Sequence, residues 1–340
     1  MSARETSRWA GWPVLTKGHG TGNDFLLLTD ADAALALDAS AVAAVADRRF
    51  GIGADGVVRA VRTAALRAVD PDVDRALAAD ASGGSVGGTV DGDAEWFMDY
   101  RNADGSIAQM CGNGLRVFVR YLLAEGLATL APGETLRVGT RAGVLGVRRA
   151  DGDRLTVAMG RFGLPGGAEA LARGSDAVVE VAGLDGARPG LSVTMPNPHV
   201  VIAVATPEEL AGADLTRAPR VVPVPDEGTN VEIVQVLGET PEGTAAAEGA
   251  VDGSLGDGSP GGEVVGVLRM RVHERGVGET LSCGTGACAA AVAARVWAGP
   301  GAPDRWIVHV PGGTLGVAVA ADDEVELTGP AELVGTVTLG

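Results

Sequence analysis

The feature that most constrains this 340-residue chain is that it repeats itself. GNDFLLL around Asn23 resembles PNPHVVI around Asn197, 174 residues later, and FGIGADGVV and PDEGTNVEIV place Gly56 and Asn230 at the same offset. WFMDYRN, ending at Asn102, resembles VLRMRVHE, ending at Glu274, now 172 apart. Nine residues beyond each lies a cysteine, Cys111 and Cys283, and each opens a Cys-Gly-x-Gly turn followed by an apolar helical stretch. Matches kept in one order predict a tandem pair of α/β halves, of the α+β type. Their expected bounds are 13–155 and 156–328, with 329–340 a terminal strand free to return to the first half. A pseudo-twofold between such halves is expected to bring corresponding elements face to face.

Within the first half, residues 22–29 read as a strand and 38–49 as a helix capped by Asp38. Gly51-x-Gly53-x-x-Gly56 has the spacing of a dinucleotide-binding loop, but that loop must follow a strand and open a helix. Here it follows a helix and opens a strand, so the match is rejected. Residues 70–94 and 239–263 are rich in Gly, Ala, Ser and acidic residues, and the second has only Val251 and Leu255 as branched aliphatics. Too little apolar surface is available to offset ordering entropy, so both are expected to be floppy surface insertions without a part in chemistry.

Composition excludes several functions. A net charge of −17, from 44 acidic and 27 basic residues, opposes nucleic acid and an anionic membrane surface. No run approaches the roughly 18 apolar residues of a membrane span, and the N-terminus lacks the apolar core of a signal peptide. A cytoplasmic protein acting on a small molecule is expected; a homodimer is left open. Lys17 is the single lysine, hence the single candidate for a Schiff base. Cys111, Cys283 and Cys288 are odd in number with no CxxC, and His19, His199, His273 and His309 are scattered. Neither a disulfide framework nor a zinc site has that spacing, and no metal or cofactor is expected.

The two Cys-Gly-x-Gly turns carry the chemistry. Glycines let backbone N–H groups approach a ligand, and a helix start is partially positive. That field favours thiolate, the form that acts as base. A lone turn of this kind is most simply a small residue at a tight bend. Two at matched positions suit proton removal from one face of a carbon and proton return to the other, which is two-base racemisation or epimerisation. Charge developing on the α-carbon and its carboxylate would be met by N–H groups from both helix starts. Cys288, five residues into its helix, reads as plain core. On VLRMRVHE, Glu274 shares the inward face of Leu268, Met270 and Val272, where a carboxylate needs a reason. His273 falls on the opposite face and reads as exposed.

Together, YRNADGSIAQMCGNG, MPNPHV, GTNVEIV and HERGVGETLSCGTGACAA closely resemble diaminopimelate epimerase, from about Lys17 to Pro330. The resemblance implies two pseudo-symmetric domains, each a curved mixed sheet around a central helix. It also implies an isomerase that converts LL-diaminopimelate to the meso form without pyridoxal phosphate, Cys283 acting as base and Cys111 as acid. By the same resemblance Asn23, Asn102, Asn197, Asn230 and Arg275 hold substrate. Gly112, Asn113, Gly284 and Thr285 offer backbone donors to the proximal carboxylate. Glu274 contacts the amine and, with His199, adjusts the cysteines. Some members carry a substrate-binding glutamine where this chain has Gly56, so one distal contact is expected to be missing. The competing readings are a proline or hydroxyproline epimerase, typically with histidine in place of Asn113, and a binding protein, for which paired thiols have no use.

Overall fold

In the computed structural model the described residues are Trp9, 11–81, 94–195, 197–241 and 264–340. They divide into two units, one holding the chain as far as Arg148 with Ala331–Gly340, the other Arg149–Pro330. The division precedes the strand Leu155–Arg161, because that strand pairs with Glu324–Gly329 of the second unit.

The first unit runs β1 (Leu15–Gly20), β2 (Asn23–Thr29), α1 (Ala39–Ala46), β3 (Gly56–Arg62), α2 (Thr63–Val69), α3 (Pro71–Ala81), β4 (Trp96–Asn102), α4 (Gly112–Ala124), β5 (Thr135–Thr140) and β6 (Gly143–Arg149). The second runs β7 (Leu155–Arg161), α5 (Gly167–Arg173), β8 (Ala177–Glu180), β9 (Arg188–Thr194), β10 (Pro198–Ala203), α6 (Pro207–Gly212), β11 (Arg220–Val222), β12 (Asn230–Pro241), β13 (Val264–Glu274), β14 (Gly278–Thr280), α7 (Gly284–Ala298), β15 (Arg305–Val310), β16 (Gly313–Val319) and β17 (Glu324–Gly329). The last strand, β18 (Glu332–Val337), returns to the first unit and pairs antiparallel with β1.

The repeat is one of topology and register. β1 is antiparallel to β2, β2 parallel to β3, β3 antiparallel to β4, and β4 parallel to β5. In the second unit β9, β10, β12, β13 and β15 follow the same series. Phe25 stands opposite Gly56, and His199, 174 residues on, opposite Asn230. Parallel neighbours need a crossover. The last crossover of each series is the helix that begins after a cysteine, α4 or α7. The starts of β2 and β3 and the end of β4 therefore share one sheet edge, from which α4 departs. The starts of β10 and β12 and the end of β13 do the same for α7.

Both crossover helices are central. Leu115, Val117, Phe118, Val119, Tyr121 and Leu122 of α4 are buried, as is every residue from Ala287 to Ala294 of α7. A helix apolar on all sides must be enclosed. α4 packs against β1, β2, β3 and β18, and α7 against β9, β10, β12, β13, β15, β16 and β17.

Three expectations need correction. Residues 71–81 are a helix, with Val73 fully buried against Val61, Leu66 and Phe97 and Leu77 packed beside them. One heptad-like pair of apolar residues suffices here because Asp70 is tied to Arg141 at 2.9 Å, and Arg141 reaches the buried Asp99 at 2.6 Å. Residues 82–93 lie outside the described residues. Glu239–Pro241 continue β12 rather than beginning an insertion, and 242–263 also lie outside. His273 is buried, not exposed, since its Nδ1 meets the Leu215 carbonyl at 2.9 Å where the chain after α6 covers that face. The first-unit helix keeps its Asp38 cap, whose carboxylate accepts from Ala41 N–H at 2.9 Å, but ends at Ala46.

Candidate active site

Each cysteine is the N-cap of its unit's central helix. Cys111 has extended backbone (φ −144°, ψ 119°), and its sulfur accepts from the Gly114 N–H at 3.4 Å. Cys283 (φ −121°, ψ 118°) accepts from the Gly286 N–H at 3.4 Å. A small residue is needed at the third helical position in both. A Cβ on Gly114 would lie 3.3 Å from the Phe25 ring, and one on Gly286 would lie 2.6 Å from the Glu232 carboxylate.

Around Cys111, the Asn23 carbonyl oxygen accepts from the sulfur at 3.5 Å, while the Asn23 amide donates to Asp55 at 2.7 Å. Asp55 and Asp24 share Arg48, and Lys17 pairs with Asp24 at 2.7 Å and donates to the Gly53 carbonyl. Burial raises the Asp24 carboxyl, but hydrogen bonds and charge from Arg48 and Lys17 outweigh it and hold it at about 2. Lys17 is thus a structural cation. Asn102 stands opposite Gly56 at the end of β4 and closes the turn leading to Cys111, its amide donating to Ser106 Oγ at 3.0 Å. Gly112 and Asn113 open α4. Arg116, fully buried, donates to the Asn113 side chain at 2.8 Å and the Gly112 carbonyl at 3.2 Å.

Around Cys283 the surroundings are acidic. The Thr285 hydroxyl lies 3.4 Å from the sulfur. Glu274, at the end of β13, accepts from Thr280. His199 Nδ1 lies 2.7 Å from Glu232 Oε1, both side chains fully buried, and its Nε2 lies 3.1 Å from the Asn197 side-chain oxygen. Asn230 accepts the Arg275 backbone N–H at 2.9 Å. The Arg275 guanidinium is 45% exposed and donates to the Glu227 carbonyl. Burial pushes the Cys283 thiol up, the Glu274 and Glu232 carboxylates push it further, and the Thr285 and Gly286 donors only partly oppose them.

Every residue predicted from sequence except the Arg275 guanidinium is drawn to the sheet edge or helix start beside its own cysteine. Three polar side chains were missed: Asp55, which orients Asn23; Arg116; and Glu232. The repeat itself carries the signal for the last two. Arg116 occupies the position equivalent to Cys288, and Glu232 that of Val58, so a charged residue faces an uncharged one across the duplication. Gly56 is enforced rather than merely tolerated, since a Cβ there would lie 2.4 Å from the Arg101 carbonyl oxygen and 2.5 Å from the Tyr100 ring. No glutamine side chain fits. Among the described residues no cluster of three or more His, Cys, Asp or Glu is placed to hold a metal.

The family model described as diaminopimelate epimerase matches residues 15–164 and 261–334. A protein of Streptomyces coelicolor named diaminopimelate epimerase is 43% identical over 326 residues, covering 94% of this chain and 92% of that one. One of Thermobifida fusca with the same name is 42% identical over 321 residues, covering 94% of each. Among solved structures, a Bacillus anthracis phenazine biosynthesis protein of the PhzF family has a TM-score of 0.56 at 14% identity, covering 96% of this chain and 99% of that one. That likeness speaks to the fold alone.

Proposed function

Because this chain belongs to the diaminopimelate epimerase family, we propose that it interconverts LL- and meso-2,6-diaminopimelate, with Cys283 as base and Cys111 as acid in the LL-to-meso direction. The observation that carries the reading is the matched pair of N-cap cysteines, each with its sulfur on the N–H of the third helical residue. In that reaction the Cys283 thiolate takes the α-proton, and the C–H electron pair stays on the α-carbon, spread into its carboxylate. The Cys111 thiol then gives its proton to the opposite face. Cys283 ends as thiol and Cys111 as thiolate, so the atoms balance without a redox partner.

The N–H groups of Gly112, Asn113, Gly284 and Thr285 suit the proximal carboxylate, where charge accumulates in the transition state. Burial and two carboxylates favour thiol at Cys283 in the empty site. A substrate ammonium against Glu274 offsets one of those charges, which makes the thiolate accessible when substrate is bound. A raised thiol is also the stronger base once ionised. Asn102, Asn197, Asn230 and Arg275 serve the distal amino-acid end, with no side-chain contact from Gly56. One chain carries both thiols, so the chemistry needs no second copy. A pyridoxal mechanism would need Lys17, whose ammonium is held by Asp24 and the Gly53 carbonyl. The reaction belongs to the supply of lysine and of a peptidoglycan precursor. A cytoplasmic setting suits it, and no helix among the described residues is long and apolar enough to cross a membrane.

The test is incubation of purified protein with LL-diaminopimelate in deuterium oxide. Deuterium should enter one α-carbon as the meso isomer forms. Exchange of proline with none of diaminopimelate would overturn the substrate while leaving the thiol chemistry standing; exchange of neither would overturn both.

A further inference from the structure

The two halves superpose in sequence register yet differ in charge behind their cysteines. Phe25 and Val58, on β2 and β3, are fully buried; 174 residues on, β10 and β12 carry His199 and Glu232, equally buried. Gly114 therefore rests on an aromatic ring, whereas Gly286 rests on a carboxylate. A polar pair within a closely packed core is costly unless fully partnered. Here Glu232 Oε1 meets His199, while Glu232 Oε2 is buried with no hydrogen-bond partner among the described residues. Such a group is retained for something other than stability.

The geometry gives that purpose. Glu232 Oε1 lies 2.6 Å, and the Cys283 sulfur 3.3 Å, from the point where a Cβ on Gly286 would sit. Carboxylate and sulfur are thus within about 6 Å, the range in which one charge governs another's ionisation. We propose that Glu232 is a positioning residue: clamped by His199 beneath the start of α7, it supplies the negative charge that distinguishes Cys283 from Cys111. The other ionisable group acting on Cys283 is Glu274 on β13. Those on further strands against α7 are engaged elsewhere, Arg188 with Glu209, Arg271 with Glu279, His273 with the Leu215 carbonyl and Glu324 with Arg161. The inference rests on the reading of Cys283 as an acid–base group, but its test needs no substrate and so fails separately from that reading.

The rate at which iodoacetamide alkylates Cys283 in the full chain, read by peptide mass spectrometry across pH, reports its ionisation. In Glu232→Gln the midpoint should fall by about half to one pH unit, about a 3–10-fold gain in alkylation below the midpoint. Cys111 should not respond. In His199→Gln, which leaves the carboxylate charged and unclamped, the midpoint should rise; Glu232→Asp should stay near the parent. A faster reaction at every pH with an unmoved midpoint would mean that Glu232 only packs, and would overturn the proposal. So would a shift of Cys111 equal to that of Cys283. If Glu232→Gln does not fold, the upward shift in His199→Gln decides alone, and its absence counts against the proposal.

Discussion

Asn23 and Cys111 are bonded to one another, the asparagine side-chain oxygen 3.5 Å from the sulfur. Asp55 fixes the other end of the same amide at 2.7 Å, so the oxygen can only face the cysteine. A hydrogen bond to an ionising group contributes about 1.5–3 kcal/mol. Asn23→Ala should accordingly lower turnover about 10–100-fold, and Asp55→Asn, which frees the amide to rotate, should cost less. Unchanged steady-state kinetics in Asn23→Ala would show that the residue is a turn cap and nothing more.

Selectivity between the two ends of diaminopimelate falls to Arg275. Its guanidinium is half-exposed and bound to the Glu227 carbonyl rather than buried. Losing a distal carboxylate leaves it in water, which lowers the penalty expected of a buried cation. Lysine, lacking only that carboxylate, should react about 10–100-fold more slowly, the loss of one charge-assisted pair. Arg275→Met should narrow the gap mainly by harming diaminopimelate. Measured kcat/KM for the two substrates checks this, and an unchanged ratio would remove Arg275 from the distal site.

Acid stability tests the first-unit network. Asp24 drops from 3.8 to about 2 on folding, so its carboxylate is favoured by the folded state. The stability it contributes, about 1–2 kcal/mol, is complete above about pH 4 and fades as pH falls through 2. In urea unfolding, Asp24→Asn should flatten that dependence without altering it near neutrality. Asp99→Asn should be more severe, about 3–5 kcal/mol at all pH above 4. It strands Arg59 and Arg141, whose guanidinium groups lie 2.7 and 2.6 Å from the lost carboxylate.

What the sequence disclosed, and what it hid, follows one line. The duplication placed Asn23, Gly56, Asn102 and Cys111 at equal steps from Asn197, Asn230, Glu274 and Cys283, and equal steps in a repeated fold mean equal places on a sheet edge. Single-strand alternation was less informative. It assigned His273 to solvent because it considers one strand and its two faces, whereas the chain after α6 closes over the second face. Glu232 escaped notice for the related reason that NVEIVQV reads as a plain alternating strand; only its alignment with Val58 exposes a charge where the other half keeps a valine. The helix over 71–81 was hidden by composition. Val73 and Leu77 are too few to promise a core but enough once Leu66 and Phe97 offer a surface.

The two-thiol mechanism itself is tested most directly by Cys111→Ala and Cys283→Ala, assayed for formation of meso-diaminopimelate, with Cys288→Ala as the control. Cys288 is fully buried inside α7, and its loss should leave turnover within a few-fold of the parent. Each of the other two variants should fold, with its helix intact in circular dichroism, and form no meso product above background. Appreciable epimerisation by either one, at more than about a hundredth of the parent rate, would contradict the assignment of one thiol to each face of the carbon.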